Sequence, residues 1–232
     1  MISCLVIVGI AIILLIFYII FKCKNYDLKE LFLKISISFL FVLLALVATY
    51  KSNKFDVFNL LIIIGLLLGL LGDIFLDLKY IDTTRTKGYT YGGFISFGIG
   101  HILFIIAMLL MYRTSIPFII LAIILTIILS IATILLEKPL KLKYGEYKII
   151  SFLYALCLFG SLSFSLFLNI SNRFQIASLN MLFIGFILFV ISDLVLSGTF
   201  FGENKERPID FILNYITYYG AQFIIAFMLL IA

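Results

Sequence analysis

Long apolar runs broken by short polar clusters set the pattern of this chain. Read in order, the runs predict spans at about 2–21, 31–49, 57–78, 92–112, 116–136, 149–169, 178–197 and 210–231. Each is close to the roughly 20 residues that a helix needs to cross the hydrocarbon core of a bilayer. Lipid offers no partner to an open backbone, so a crossing segment is either a helix or a strand of a closed barrel. Barrel strands alternate polar and apolar residues, whereas Leu60 to Leu71 is apolar throughout. The expectation is therefore an all-α, polytopic integral membrane protein. It has eight transmembrane helices, forming a single eight-helix transmembrane domain over residues 1–232. The first run lacks a basic stretch before it and a small-residue cleavage site, and Lys22 and Lys24 follow it. It reads as a retained helix rather than a signal peptide.

Composition agrees with that pattern. Hydrophobic residues make up 64% and charged residues 12%, against about 45–50% and about 25% in soluble domains. Too little polar surface exists to cover a water-soluble globule. Three cysteines, Cys4, Cys23 and Cys157, have neither pairing nor metal-site spacing, so a disulfide scaffold is excluded. The net charge of +5 follows the loops. Those after the first, third, fifth and seventh spans, with Lys34 counted among them, hold 13 of the 17 basic residues; Lys51, Lys54, Arg113 and Arg173 make up the rest. Basic residues favour the cytoplasmic side. Both termini are thus expected outside, in a multi-pass protein of the cell membrane. The charge orients the chain in its bilayer. Nucleic acid would need a basic groove with stacking aromatics, and no such pattern is present.

Of the twelve acids, three fall within spans: Asp73, Asp77 and Asp193. No Lys or Arg is expected well inside a span, so these acids have no evident cationic partner. A lone carboxylate in hydrocarbon costs several kcal/mol or more, which makes an ionisable residue there a candidate for function. Asp77 is also read as interfacial, snorkelling to water. At a rise of about 1.5 Å per residue, Asp73 and Asp193 lie about 7 and about 6 Å from the cytoplasmic edge, and His101 about 13 Å. Tyr218 and Gln222 lie about 12 to 18 Å from the same edge. Four spans share one depth, which points to one pocket open to the cytoplasmic leaflet. The only histidine, His101, reads either as a packing residue or as part of that pocket. Tyr218 and Gln222 are four apart on one helix face, beside Tyr215; they are either site residues or interhelical hydrogen-bond formers. Gly65 and Gly69 form a G-x-x-x-G step suited to close helix packing.

The polar positions also repeat. Leu71-Gly72-Asp73-Ile74-Phe75-Leu76 matches Ile191-Ser192-Asp193-Leu194-Val195-Leu196 in character, and Gly100-His101-Ile102 matches Ala221-Gln222-Phe223. The gap from aspartate to polar residue is 28 in one case and 29 in the other. The offset of four helices is even, so it suggests a parallel four-plus-four helix repeat about an axis along the membrane normal, with the site between the halves.

At these residues the sequence resembles the YhhN-type transmembrane family, whose animal members are lysoplasmalogenases. The resemblance rests on LLGDIFLDL (70–78), FISFGIGHILFI (94–105), GFILFVISDLVL (185–196) and YITYYGAQFII (215–225). It covers the third to the eighth span. It implies a bundle of about eight helices and hydrolysis of the vinyl-ether bond of lysoplasmalogen to a fatty aldehyde and a glycerophospho-base. Asp73 and Asp193 are the implied catalytic residues, and no cofactor is implied. The chain departs from the family at Ser197 to Phe201, where a basic residue is common, and at Asp77, where an apolar one is. The residues themselves fit this chemistry. Cleaving a vinyl ether needs an acid to protonate carbon and a carboxylate to steady the oxocarbenium ion or activate water, a division of labour that two buried carboxyls can provide. His101, Tyr218, Gln222, Asp77 and Tyr215 would orient water and a lysophospholipid whose headgroup lies near Lys79, Arg85, Lys87 or Arg207. Two other classes stay open: a metal-dependent lipid hydrolase with Asp73, His101 and Asp193 as ligands, and a transporter or lipid-binding protein using the acids as a proton relay. Nothing in the pattern sets an oligomeric state.

Overall fold

A computed structural model describes residues 1–22, 28–202 and 207–232. Eight α-helices follow one another: α1 (Ile2–Lys22), α2 (Leu28–Ser52), α3 (Val57–Ile81), α4 (Thr86–Met111), α5 (Ile116–Leu135), α6 (Lys148–Ser171), α7 (Ala177–Phe201) and α8 (Pro208–Met228). Each is long and apolar enough to cross a membrane, and no strand occurs among the described residues. Cys23 and Lys24, both read above from the sequence, lie outside the described residues.

Local chemistry sets the helix ends. Asp56 precedes α3 and accepts a hydrogen bond from the Asn59 backbone N–H at 2.9 Å, satisfying a donor that the first turn leaves orphaned. Pro117 and Pro208 occupy the first turns of α5 and α8, where a missing N–H costs nothing. Asp82 caps the turn between α3 and α4. Hydrogen bonds from Thr84 hold its carboxyl below the usual carboxylate range. Several helices run beyond their predicted limits, α4 and α7 by more than three residues at one end. α4 begins at Thr86 rather than near 92, because the Thr90 hydroxyl bonds the Thr86 carbonyl and Tyr91 packs on Tyr147. α7 continues to Phe201, whose ring packs on Tyr144.

Neighbouring helices pack in the same order in both halves: α1 on α2, α2 on α3 and α3 on α4, then α5 on α6, α6 on α7 and α7 on α8. The halves meet reciprocally, α4 against α6 and α8 against α2. Individual contacts repeat as well. Gly65 makes room for Phe104 between α3 and α4, and Gly185 makes room for Ile225 between α7 and α8. Gly72 faces Gly93, while at the matching positions the Ser192 carbonyl accepts from the Asn214 amide at 2.9 Å. The contacts thus carry the four-plus-four repeat suggested by the sequence. Small residues dominate these seams because helices in lipid associate through close packing and interhelical hydrogen bonds rather than through water exclusion. α1 and α5 are the outer helices. Ile12, Ile13 and Ile16 on one, and Ile120, Ile124 and Ile128 on the other, are exposed, as lipid-facing side chains should be.

Candidate functional site

Four residues on two helices begin the site. Lys34 and Ser38 lie one turn apart on α2, and Asp73 and Asp77 lie one turn apart on α3. Residues four apart share a helix face, so the two pairs meet across the α2–α3 seam. The Lys34 Nζ lies 2.9 Å from Asp77 Oδ1 and 3.4 Å from Asp73 Oδ1. Ser38 donates to Asp73 Oδ2 at 2.6 Å. This corrects two expectations. Lys34, counted above with a loop, lies inside α2 and supplies the buried cation that the spans were expected to lack. Asp77 is only 2% exposed and ion-paired, so it does not snorkel to water.

α8 closes the cluster. Tyr218 donates to Asp73 Oδ2 at 2.7 Å and accepts from the Gln222 side-chain amide at 3.0 Å. That amide lies against Gly69, where a Cβ would come within 2.7 Å of it, so Gly69 serves Gln222 as well as helix packing. Tyr219 reaches the Ser38 hydroxyl at 3.3 Å. The Tyr215 ring lies 5.9 Å from the Lys34 ammonium, and its hydroxyl accepts from Tyr18 of α1 at 3.2 Å.

Asp193 occupies a second, different cluster. Its Oδ2 accepts a hydrogen bond from the Tyr154 hydroxyl of α6. The Tyr154 ring packs on Phe94 and, at 6.1 Å, on His101. His101 Nδ1 lies 3.0 Å from the Ser161 hydroxyl, and its ring packs edge-on against Phe189 at 4.6 Å. The histidine therefore pairs with a serine and not with an acid. Its Nε2 is buried with no hydrogen-bond partner, and so is Oε1 of Gln222. These two orphaned atoms sit at equivalent positions of the repeat. Buried polar groups are normally satisfied, so both are natural contacts for water or a polar ligand group.

An aromatic wall joins the clusters. Phe189 packs on Tyr218 at 5.5 Å and on Phe97 at 6.2 Å, and Phe97 on Tyr218 at 6.0 Å. Asp73 and Asp193 keep separate hydrogen-bond partners, with no hydrogen bond between them among the described residues. Both aspartates stand eight residues before the end of their helix, at Ile81 and Phe201, or about 12 Å along the axis. The structure thus brings Asp73, Asp77, Tyr215, Tyr218 and Gln222 together around Lys34. It sets Asp193 and His101 behind the shared wall. Lys34, Ser38, Tyr154, Ser161 and Tyr219 were not singled out by the sequence. One signal could have found two of them: Lys34 precedes Tyr154 by the same 120 residues that separate Asp73 from Asp193.

The surface cations divide. Lys87 pairs with Glu146 at 2.5 Å, and Arg207 forks onto Asp210 at 2.8 and 3.1 Å. The Lys79 ammonium sits 3.5 Å from the centre of the Phe200 ring, near the same end of the bundle. Comparison with curated proteins and with solved structures finds no match. The family comparison does: residues 30–229, which hold both clusters, match the YhhN family, and the chain belongs to that family.

Proposed function

We propose that this protein is a lysoplasmalogenase-like membrane hydrolase that cleaves the vinyl-ether bond of a single-chain ether phospholipid. The observation that carries the reading is the pair of aspartates at one height in two unlike polar settings, one ion-paired and one bonded to a phenol. That contrast is what acid-assisted cleavage of a vinyl ether requires. A carboxylic acid gives its proton to the β-carbon of the O–CH=CH unit, leaving an oxocarbenium ion at the carbon bonded to oxygen. A carboxylate steadies that cation and takes a proton from the water that adds to it. The hemiacetal then breaks its bond to the glycerol oxygen, which leaves with a proton. The products are a fatty aldehyde and a glycerophospho-base. His101 Nε2 and Gln222 Oε1 orient the water, Tyr218 and Gln222 hold Asp73, and Asp77 and Tyr215 hold Lys34.

A lysolipid fits a site built this way. Its tail would lie between helices and its headgroup near Lys79 and Arg85. The basic loops favour a site toward the cytoplasmic leaflet of the cell membrane, with both termini outside. The parallel repeat is also an architecture of transporters; proton flux into vesicles without aldehyde release would favour that class instead. The test is cleavage of a vinyl-ether lysolipid in heavy water. Protonation at carbon predicts one deuterium beside the aldehyde carbonyl at early times. Aldehyde without that label would refute the mechanism.

A further inference from the structure

Both halves of the repeat place a side chain of the second helix on the aspartate of the third. In the first half this is Lys34 on Asp73, and in the second it is Tyr154 on Asp193. The equivalent position holds a cation on one side and a phenol on the other. We propose that Lys34 divides the two aspartates into a standing carboxylate, Asp73, and a protonated carboxylic acid, Asp193, so that Asp193 is the proton donor and Asp73 the base. The catalytic half of this statement rests on the hydrolase reading; the protonation states do not.

Hydrogen-bond directions support the first assignment. The Gln222 amide nitrogen can only donate, so its bond to Tyr218 turns the phenolic proton toward Asp73. Asp73 Oδ2 therefore accepts from Tyr218, and it accepts from Ser38 as well. Oδ1 faces the Lys34 ammonium at 3.4 Å. Neither oxygen is left to carry a proton. Further titratable groups around the pair are Asp77 and Tyr80 of α3 and Tyr215 and Tyr219 of α8. Lys34 is the cation that faces both Asp73 and Asp77, and Asp77 Oδ2 has no hydrogen-bond partner.

Asp193 is placed differently. Tyr154 is its hydrogen-bond partner, and no lysine or arginine pairs with it among the described residues. Its Oδ1 takes no hydrogen bond among the described residues, while Oδ2 holds the Tyr154 hydroxyl. A carboxylate with one donor and no cation in a lipid-embedded bundle is costly, and the neutral acid avoids that cost. A proton on Oδ1 is free to be delivered, and Tyr154 holds the group for delivery.

Infrared spectroscopy of the full-length protein in detergent near neutral pH tests the assignment without any substrate. The wild type should show the carbonyl stretch of a buried protonated carboxyl group. Asp193→Asn should remove that band and Asp73→Asn should leave it. A band removed by Asp73→Asn and kept in Asp193→Asn, or no protonated carboxyl attributable to Asp193, would overturn the proposal. Lys34→Gln should add a further protonated-carboxyl band, and Lys34→Arg, which keeps the cation, should not. Should Lys34→Gln fail to fold, the two aspartate variants and Lys34→Arg still decide. If the bands behave as expected but no vinyl ether is cleaved, the assignment stands and the hydrolase reading falls. Loss of aldehyde release in both aspartate variants, with the bands reversed, would leave the hydrolase reading in place and reverse the roles.

Discussion

Lys34→Met removes the cation of the buried cluster while keeping much of the side-chain volume. In the wild type its ammonium faces Asp77 at 2.9 Å and Asp73 at 3.4 Å. At an effective dielectric of about 20 these separations correspond to gross attractions of about 6 and about 5 kcal/mol. The cost of keeping three ions out of water offsets much of that sum. Breaking a buried pair by deleting one partner costs about 3–5 kcal/mol, because the other charge stays behind. For a chain of this size that is a loss of roughly 10 °C in the midpoint of thermal unfolding. Size-exclusion of heated samples in detergent would read the change, since the chain has no tryptophan to report it. The deficit should shrink as pH is lowered, because protons neutralise the stranded acids. Adding Asp77→Leu to Lys34→Met should restore at least half of it, because ion pairs replaced on both sides by apolar groups are often neutral in stability. A Lys34→Met protein as heat-stable as the wild type at every pH would refute the ion-pair account.

Other outcomes follow from the same geometry. Asp73→Asn and Asp193→Asn should each lower aldehyde release at least about a hundredfold while leaving folded yield intact, as general acid–base roles are worth that much or more; activity assays on size-matched fractions check this. Among the described residues, Tyr154→Phe removes the one hydroxyl donor of Asp193, whereas Tyr218→Phe removes one of two hydroxyl donors to Asp73. Interhelical hydrogen bonds in membranes average about 0.6 kcal/mol, so both should fold normally and Tyr154→Phe should lose more activity, measured as initial rates. Gly65→Ala should destabilise by about 1–3 kcal/mol through overpacking against the Phe104 ring. Gly185→Ala should cost less, since its Cβ would meet Ile225 Cγ1 at 2.9 Å and Cδ1 at 3.4 Å, a flexible side chain in place of a ring; thermal midpoints would rank the two.

The helices were legible in the sequence because a bilayer demands about 20 apolar residues and forbids irregular backbone in lipid. Their ends were less so. Thr86 to Tyr91 looks like a loop by polarity, yet it is helical because Thr90 and Tyr91 find partners on Thr86 and Tyr147. Asp73 and Asp193 stood out as acids in apolar surroundings, and Tyr218 and Gln222 as a polar pair on one face. Lys34 did not, since it lies near a helix start among other lysines and its partners are about 40 residues away on α3. Spacing along one helix shows which residues share a face. It does not show which faces meet, and that separated His101 and Asp193 from the Lys34 cluster.

Aldehyde release by the purified protein shows directly whether the two aspartates act on a vinyl ether. Vinyl-ether, alkyl-ether and ester lysolipids with one headgroup and one chain length should be compared in the same preparation. Release is expected from the vinyl ether alone, and it is expected to be lost in Asp73→Asn and in Asp193→Asn. Equal turnover of the ester, or undiminished release in either variant, would contradict it.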